Sequence, residues 1–132
     1  MRVSLDNEFA LHGAALALES QRSEILAGNL ANIETPGYQA RDIDYQSIMQ
    51  SVAHSLQTTS TSATAQTTSA VELGSDDLLY RIPYQTTQDG NTAELGPEQT
   101  RFDQNAMAFK TSLRFMNYTI AGIKEAISGD KS

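Results

Sequence analysis

A chain of 132 residues and 14.4 kDa has room for one domain, here residues 1–132, and no second periodic core pattern follows any linker. Sixteen acidic against nine basic residues leave a net charge of −7, which argues against a partner gripped by bulk attraction to nucleic acid or anionic lipid. The absence of Cys excludes disulfides, thiolate metal sites and a Cys nucleophile, and with no Trp and only 39% hydrophobic residues the core must be thin.

Met1-Arg2-Val3 runs into Asp6 and Glu8 without an apolar stretch, so no cleavable secretory signal is expected. From Glu8 to Ile33 the sequence reads as a helix. Leu11, Ala15, Leu18, Arg22, Ile25, Asn29 and Asn32 recur in steps of four and three, a heptad seam. A second line of Leu16, Leu26, Leu30 and Ile33 lies beside it, with Glu19 and Glu24 flanking the face as solvated charges. Arg22, Asn29 and Asn32 in the seam have two readings: polar residues that fix register, or a solvent face on a helix whose core side is the Leu16/Leu26/Leu30 line.

The helix is expected to stop at Thr35-Pro36-Gly37-Tyr38, because Pro disfavours helical geometry at Thr35 and Gly supplies the positive φ of a type II turn. Residues 34–96 then read as this turn followed by an irregular polar middle. Arg41 to Tyr45 alternates polar and apolar residues, and a short helix fits Tyr45 to Leu56 through Ile48, Met49, Val52 and Leu56. The stretch from Tyr45 to Val71 has no Lys, Arg, Asp or Glu but is rich in Ser and Thr rather than apolar, so it is no membrane span. Residues 51–70, with eleven Ser or Thr, read as a loop. Leu78, Tyr80, Ile82 and Tyr84 alternate as a short extended segment that Pro83 confines to an edge, and Asp89-Gly90-Asn91 marks a turn.

Residues 97–128 form the strongest periodic signal. Pro97 suits the first helical position, and Phe102, Ala106, Phe109, Leu113, Met116, Ile120, Ile123 and Ile127 follow alternating steps of four and three before Gly129 stops the run. The expected fold is mainly α: two long terminal heptad helices forming an antiparallel coiled-coil hairpin, with the polar middle between them. Met107, Phe115 and Tyr118 lie off the seam and point to contacts with further helices or with the middle segment.

Chemistry is poorly represented. His12 and His54 share no metal-ligand spacing, Asp42 and Asp44 read as solvated or salt-bridged, and Asn117-Tyr118-Thr119 falls inside a helix where a glycosylation tripeptide is a chance match. No catalytic, metal or cofactor-binding residue is assigned.

The run Ile25-Leu26-Ala27-Gly28-Asn29-Leu30-Ala31-Asn32-Ile33-Glu34-Thr35-Pro36-Gly37-Tyr38 resembles the N-terminal signature of the bacterial flagellar axial proteins, the rod, hook and hook-associated group. Its specific core is an Asn-x-Ala-Asn helix end running into Thr-Pro-Gly-Tyr; Gly28 stands where that pattern usually has Ala. Residues 38–45, Tyr80-Arg81-Ile82-Pro83, Asp89 to Thr92 and Glu98 to Asn105 resemble a proximal rod member of the group more narrowly. The resemblance implies a structural rod subunit whose terminal helices pack together and stack on neighbours, without a cofactor. It further implies uncleaved export through the flagellar type III gate. The partners it implies are further copies, the rod protein FlgC and the rod-base protein FliE. Subunit contact is thereby expected from Leu18, Ile25, Asn29, Leu30, Asn32, Thr35, Pro36, Gly37 and Tyr38, and from Phe102, Phe109, Leu113, Met116, Ile120, Ile123 and Ile127. A reading of another class is a self-contained helical adaptor or chaperone-like binding module.

Overall fold

The computed structural model describes residues 5–59 and 71–129. Along the chain lie α1 (Leu5–Ala31), β1 (Arg41–Ile43), α2 (Tyr45–Thr59), a short 3-10 turn (Ser75–Asp77), β2 (Leu78–Tyr80) and α3 (Leu95–Ser128). At 1.5 Å per residue α1 is about 40 Å long and α3 about 51 Å. They run antiparallel. Asn29 meets Glu98 near one end, Glu19 meets Asn105 and Ser112 midway, and Phe9 lies beside Ile120, Ile123 and Ile127 at the other.

The boundaries differ from those expected. α1 begins three residues earlier than the periodicity suggests and ends at Ala31, where Asn32 and Ile33 already form turns. α3 starts at Leu95, so Pro97 is its third residue; a missing N–H is harmless anywhere in the first turn because those donors have no intrahelical acceptor. The expected loop over 51–70 is helical as far as Thr59, since α2 continues beyond Leu56, and its remainder lies outside the described residues. Asp44 starts α2 by accepting the Ser47 N–H at 3.1 Å.

The turns follow the residue chemistry. Tyr38 N–H donates to Thr35 C=O, and Gly37 sits at φ +72°, as a type II turn after Pro36 requires. α2 then folds back along α1, with Tyr45 reaching Glu19 and Asn7 donating to the Leu56 carbonyl. β1 and β2 pair antiparallel, with Arg41 opposite Tyr80, Asp42 opposite Leu79 and Ile43 opposite Leu78. Pairing stops at Tyr80 apart from one bond from Arg81 N–H to Ala40 C=O, so Ile82 and Tyr84 extend beyond the sheet.

The core is as thin as the composition implies. Among the described residues six apolar side chains are buried (Ala15, Leu18, Leu26, Ala40, Ile43 and Ala93), against five polar ones: Glu19, Asn29, Asn91, Glu98 and Asn105. Leu18 and Leu26, fully enclosed, contribute about 1.5–3 kcal/mol each. Glu19 is therefore not a solvated flanking charge: its carboxylate accepts from Tyr45 Oη at 3.1 Å and Ser112 Oγ at 2.9 Å.

The face that α3 turns toward α1 is also shifted from the all-apolar seam. Phe102, Phe109, Met116 and Ile123 are half-buried, but the line interleaved with them is Glu98, Asn105, Ser112 and Thr119. Leu113, Ile120 and Ile127 fall to one side and stay exposed. The rotation is set by polar partners that counting apolar residues overlooks. Asn105 donates to the Glu19 carbonyl at 2.7 Å, and Glu98 is held by Asn29 and two guanidinium groups.

Candidate functional site

The polar residues converge where α1 ends. Asn29 is completely buried, and its amide uses its full hydrogen-bonding capacity. Nδ2 donates to Arg41 C=O at 2.7 Å and to Glu98 Oε2 at 3.1 Å; Oδ1 accepts Arg41 N–H at 3.1 Å and Tyr38 Oη at 3.2 Å. Two acceptors on one side and two donors on the other also fix which end of the amide is which. The side chain thus pairs with Arg41 as a neighbouring strand would, closing one edge of β1. Gln21, two turns earlier, does the same for the segment after residue 70, donating to Val71 C=O and accepting Leu73 N–H.

Asn32 stabilises the turn that follows. Its Nδ2 donates to Gly28 C=O at 2.8 Å, and its Oδ1 accepts Thr35 Oγ1 at 3.0 Å. The open carbonyls at the end of α1 are met from far along the chain: Asn91 Nδ2 donates to the carbonyls of Asn32, Ile33 and Thr35, at 2.9, 2.8 and 2.9 Å. Gly37 N–H donates to Asp89 C=O, Thr92 N–H to Tyr38 C=O, and Ala40 N–H to Thr92 Oγ1. Gly90, at φ +74°, shapes the 89–92 turn beside Gly37: a Cβ added at Gly90 would lie 3.9 Å from the Gly37 Cα.

Beneath this junction lies a chain of charges. Arg22 pairs with Asp42 through both carboxylate oxygens, at 2.8 and 2.9 Å. Arg81 bridges Asp42 at 2.6 Å and Glu98 at 3.3 Å, and Arg101 lies 3.8 Å from the same Glu98 oxygen. Three guanidinium groups and two carboxylates make a locally positive node inside an acidic chain. Burial pushes the Asp42 carboxyl up, but the hydrogen bonds from Arg22 and the Ile43 N–H, with the charges of Arg22 and Arg81, outweigh it and hold it below the ordinary range. The same contact with Asp42 raises Arg22 against the effect of burial. Burial and the Glu19 carboxylate push the Tyr45 phenol up to about 12. Such a node fixes which segments meet, more than it adds net stability.

This constellation is built for positioning. Among the described residues no three His, Asp or Glu side chains are grouped to hold a metal ion, and no helix is long and apolar enough to cross a membrane. His12 is half-buried on α1 and His54 exposed on α2. Of the residues expected at subunit contacts, Leu18 and Asn29 are buried within the chain. Ile25, Leu30, Asn32, Tyr38, Phe102, Phe109, Met116 and Ile123 are half-buried, and Thr35, Pro36, Gly37, Leu113, Ile120 and Ile127 are exposed. The sequence reading passed over Glu19, Arg81, Asn91, Glu98 and Asn105 as structural residues. The available signal was Arg22 in a seam beside Leu11, Ala15, Leu18 and Ile25, where a charge calls for a carboxylate partner.

Residues 10–39, which are α1 and the turn closed by Asn32, match the family model described as flagella basal body rod protein. Over nearly the whole chain the sequence is 38% identical to the flagellar basal body rod protein FlgB of Aeromonas hydrophila, covering 99% of this chain and 100% of that one. The chain belongs to the FlgB family. The FlgB proteins of Salmonella typhimurium LT2 and Escherichia coli K12 are each 37% identical, over 95% and 93% of this chain and 96% and 94% of theirs. The FlgB relationship therefore spans both long helices and the junction between them, and it identifies the chain as a component of the flagellar basal body rod.

Proposed function

We propose that the chain is a non-enzymatic structural subunit of the proximal rod, acting as one axial domain that is built in by burying its helix faces against neighbouring subunits. The observation that carries this is the apolar surface left exposed along α3. Leu113, Ile120 and Ile127, to one side of the line facing α1, are 43, 47 and 80% exposed, and Met107, Phe115 and Tyr118 are exposed on other faces of the helix. Large apolar side chains left in water along a helix some 50 Å long signal a missing partner. Contacts that repeat from subunit to subunit without closing generate a helical stack. Leu18 and Asn29 serve by holding the helices in register, while the exposed line and the Thr35 to Tyr38 turn face outward.

The family supports the further reading that the neighbours are copies of this chain, FlgC and the rod-base protein FliE, and that delivery is through the flagellar type III gate without cleavage. Leu113→Asp or Ile120→Asp is expected to abolish rod and hook assembly while the purified variant stays folded, with the helical circular dichroism spectrum of the parent. Substitutions between Ser60 and Thr68 are expected to leave assembly intact. A complete rod and hook in cells lacking the chain, or equal tolerance at both places, would overturn the reading. The adaptor alternative requires a surface complete in the monomer, which the exposed α3 line does not favour.

A further inference from the structure

α2 is held to the molecule far less firmly than the junction at the end of α1. Its apolar side, Ile48, Met49, Val52 and Leu56, is only half-buried, and among its described residues no side chain is buried outright. Polar contacts reach α1 from each end of α2. Tyr45 Oη donates to Glu19 Oε1 at 3.1 Å, and the Leu56 carbonyl accepts Asn7 Nδ2 at 3.4 Å, near the far limit of a hydrogen bond. Asn7, Leu11, Ala15 and Glu19 stand at successive steps of four, so α2 lies along a single ridge of α1.

Glu19 makes the first of these contacts an unbalanced one. It is 3% exposed, and no ion pair of the described residues includes it. Both hydroxyl donors, Tyr45 from α2 and Ser112 from α3, go to Oε1, while Oε2 is buried without a hydrogen-bond partner. A carboxylate oxygen enclosed with neither donor nor cation opposes the closed arrangement, because water satisfies it once the cover is lifted. A segment with little buried apolar surface and such a group beneath it opens before the rest of the molecule. We propose that α2 is a hinged strap. It swings off α1 as one unit about the exposed Asp44, which follows the buried Ile43 of β1, while the junction and the α1–α3 pair stay closed. Glu19 sets the balance by taking up water when uncovered. Opening bares Leu11 and Ala15 on the α1 ridge, and closing withholds that ridge from any other helix, so the strap is an autoinhibitory cover built into the single chain.

This inference stands apart from the rod reading, because its test uses the isolated full-length chain. Hydrogen–deuterium exchange followed by mass spectrometry reads the opening of each helix separately. The amides of 49–58 are expected to be at least about ten-fold less protected than those of 13–27 in α1 and 99–113 in α3. Tyr45→Phe, which removes the bond from α2 to the carboxylate, is expected to speed α2 exchange about ten-fold further and to leave the other two segments unchanged. Glu19→Gln keeps an acceptor for both hydroxyls but removes the buried charge, so it is expected to slow α2 exchange about five-fold. A Glu19 that merely anchored α2 would give the opposite sign, since losing its charge would weaken the hold. Equal protection of all three segments, equal acceleration of all three by Tyr45→Phe, or faster α2 exchange in Glu19→Gln would overturn the proposal.

Discussion

Replacing Asn29 by Ala removes a side chain that makes four hydrogen bonds in a fully buried site. The Arg41 N–H and C=O lose their partners, Tyr38 Oη loses its acceptor, and Glu98 loses one of the donors around its carboxylate. Each neutral bond is worth about 1 kcal/mol and the one to the carboxylate about 1.5–3 kcal/mol. Water can reach Tyr38 and part of Arg41 once the amide is gone, which lowers the expected loss to about 3–5 kcal/mol. For a chain of this size that corresponds to a fall in melting temperature of roughly 10–20 °C. Asn32→Ala loses two bonds in a more open place and should cost only about 1 kcal/mol. Asn29→Asp keeps the shape but sets a carboxylate 3.1 Å from Glu98, so at neutral pH it should be worse than Ala. Urea unfolding followed by circular dichroism on the three full-length variants measures all of this. If Asn29→Ala cost less than about 1 kcal/mol, or no more than Asn32→Ala, the assignment of Asn29 as the tie between α1, β1 and α3 would be wrong.

Gly28→Ala should stabilise the protein by up to about 1 kcal/mol, seen as a raised melting temperature, because Gly28 lies inside α1 and an added Cβ would meet only Tyr38 Oη, at 3.8 Å. Asp42 should govern part of the acid sensitivity. Its folded pKa lies below its ordinary value near 4, so its contribution is complete above that value and is lost as pH falls through the folded pKa. A thermal-melt series from pH 7 down to pH 2 should therefore decline below about pH 4, and Asp42→Asn should be less stable at pH 7 with a shallower acid limb.

The two long helices were legible because their apolar spacing is a direct image of helical geometry. Both turn glycines were legible too, since Gly37 and Gly90 occupy the positive φ that their neighbours demand. The face that α3 presents was not. Its contact line contains Glu98 and Asn105, residue types that a count of apolar positions places in water. They are buried because their partners, Arg81 and Glu19, arrive from residues 17 and 86 positions away, and no local pattern encodes such a meeting. α2 outran the expected loop for the opposite reason: a Ser- and Thr-rich composition weakens a helix but does not forbid one that packs on α1 and is capped by Asp44. The mixed seam resolved the two readings of Asn29 and Arg22 in favour of register.

The bonds from Asn91 to the end of α1 join residues 56 to 59 positions apart, and Asn29 reaches 69 positions to Glu98. Closing loops of that length is entropically costly and slow until both ends are in reach. A chain emerging from its N terminus onward, as every chain does in synthesis, has all of α1 free before either partner has emerged. The junction can lock only when roughly three quarters of the polypeptide has emerged, because Glu98 is its last partner. A chain that has emerged only as far as α2 therefore has its first helix available and its turn unfastened.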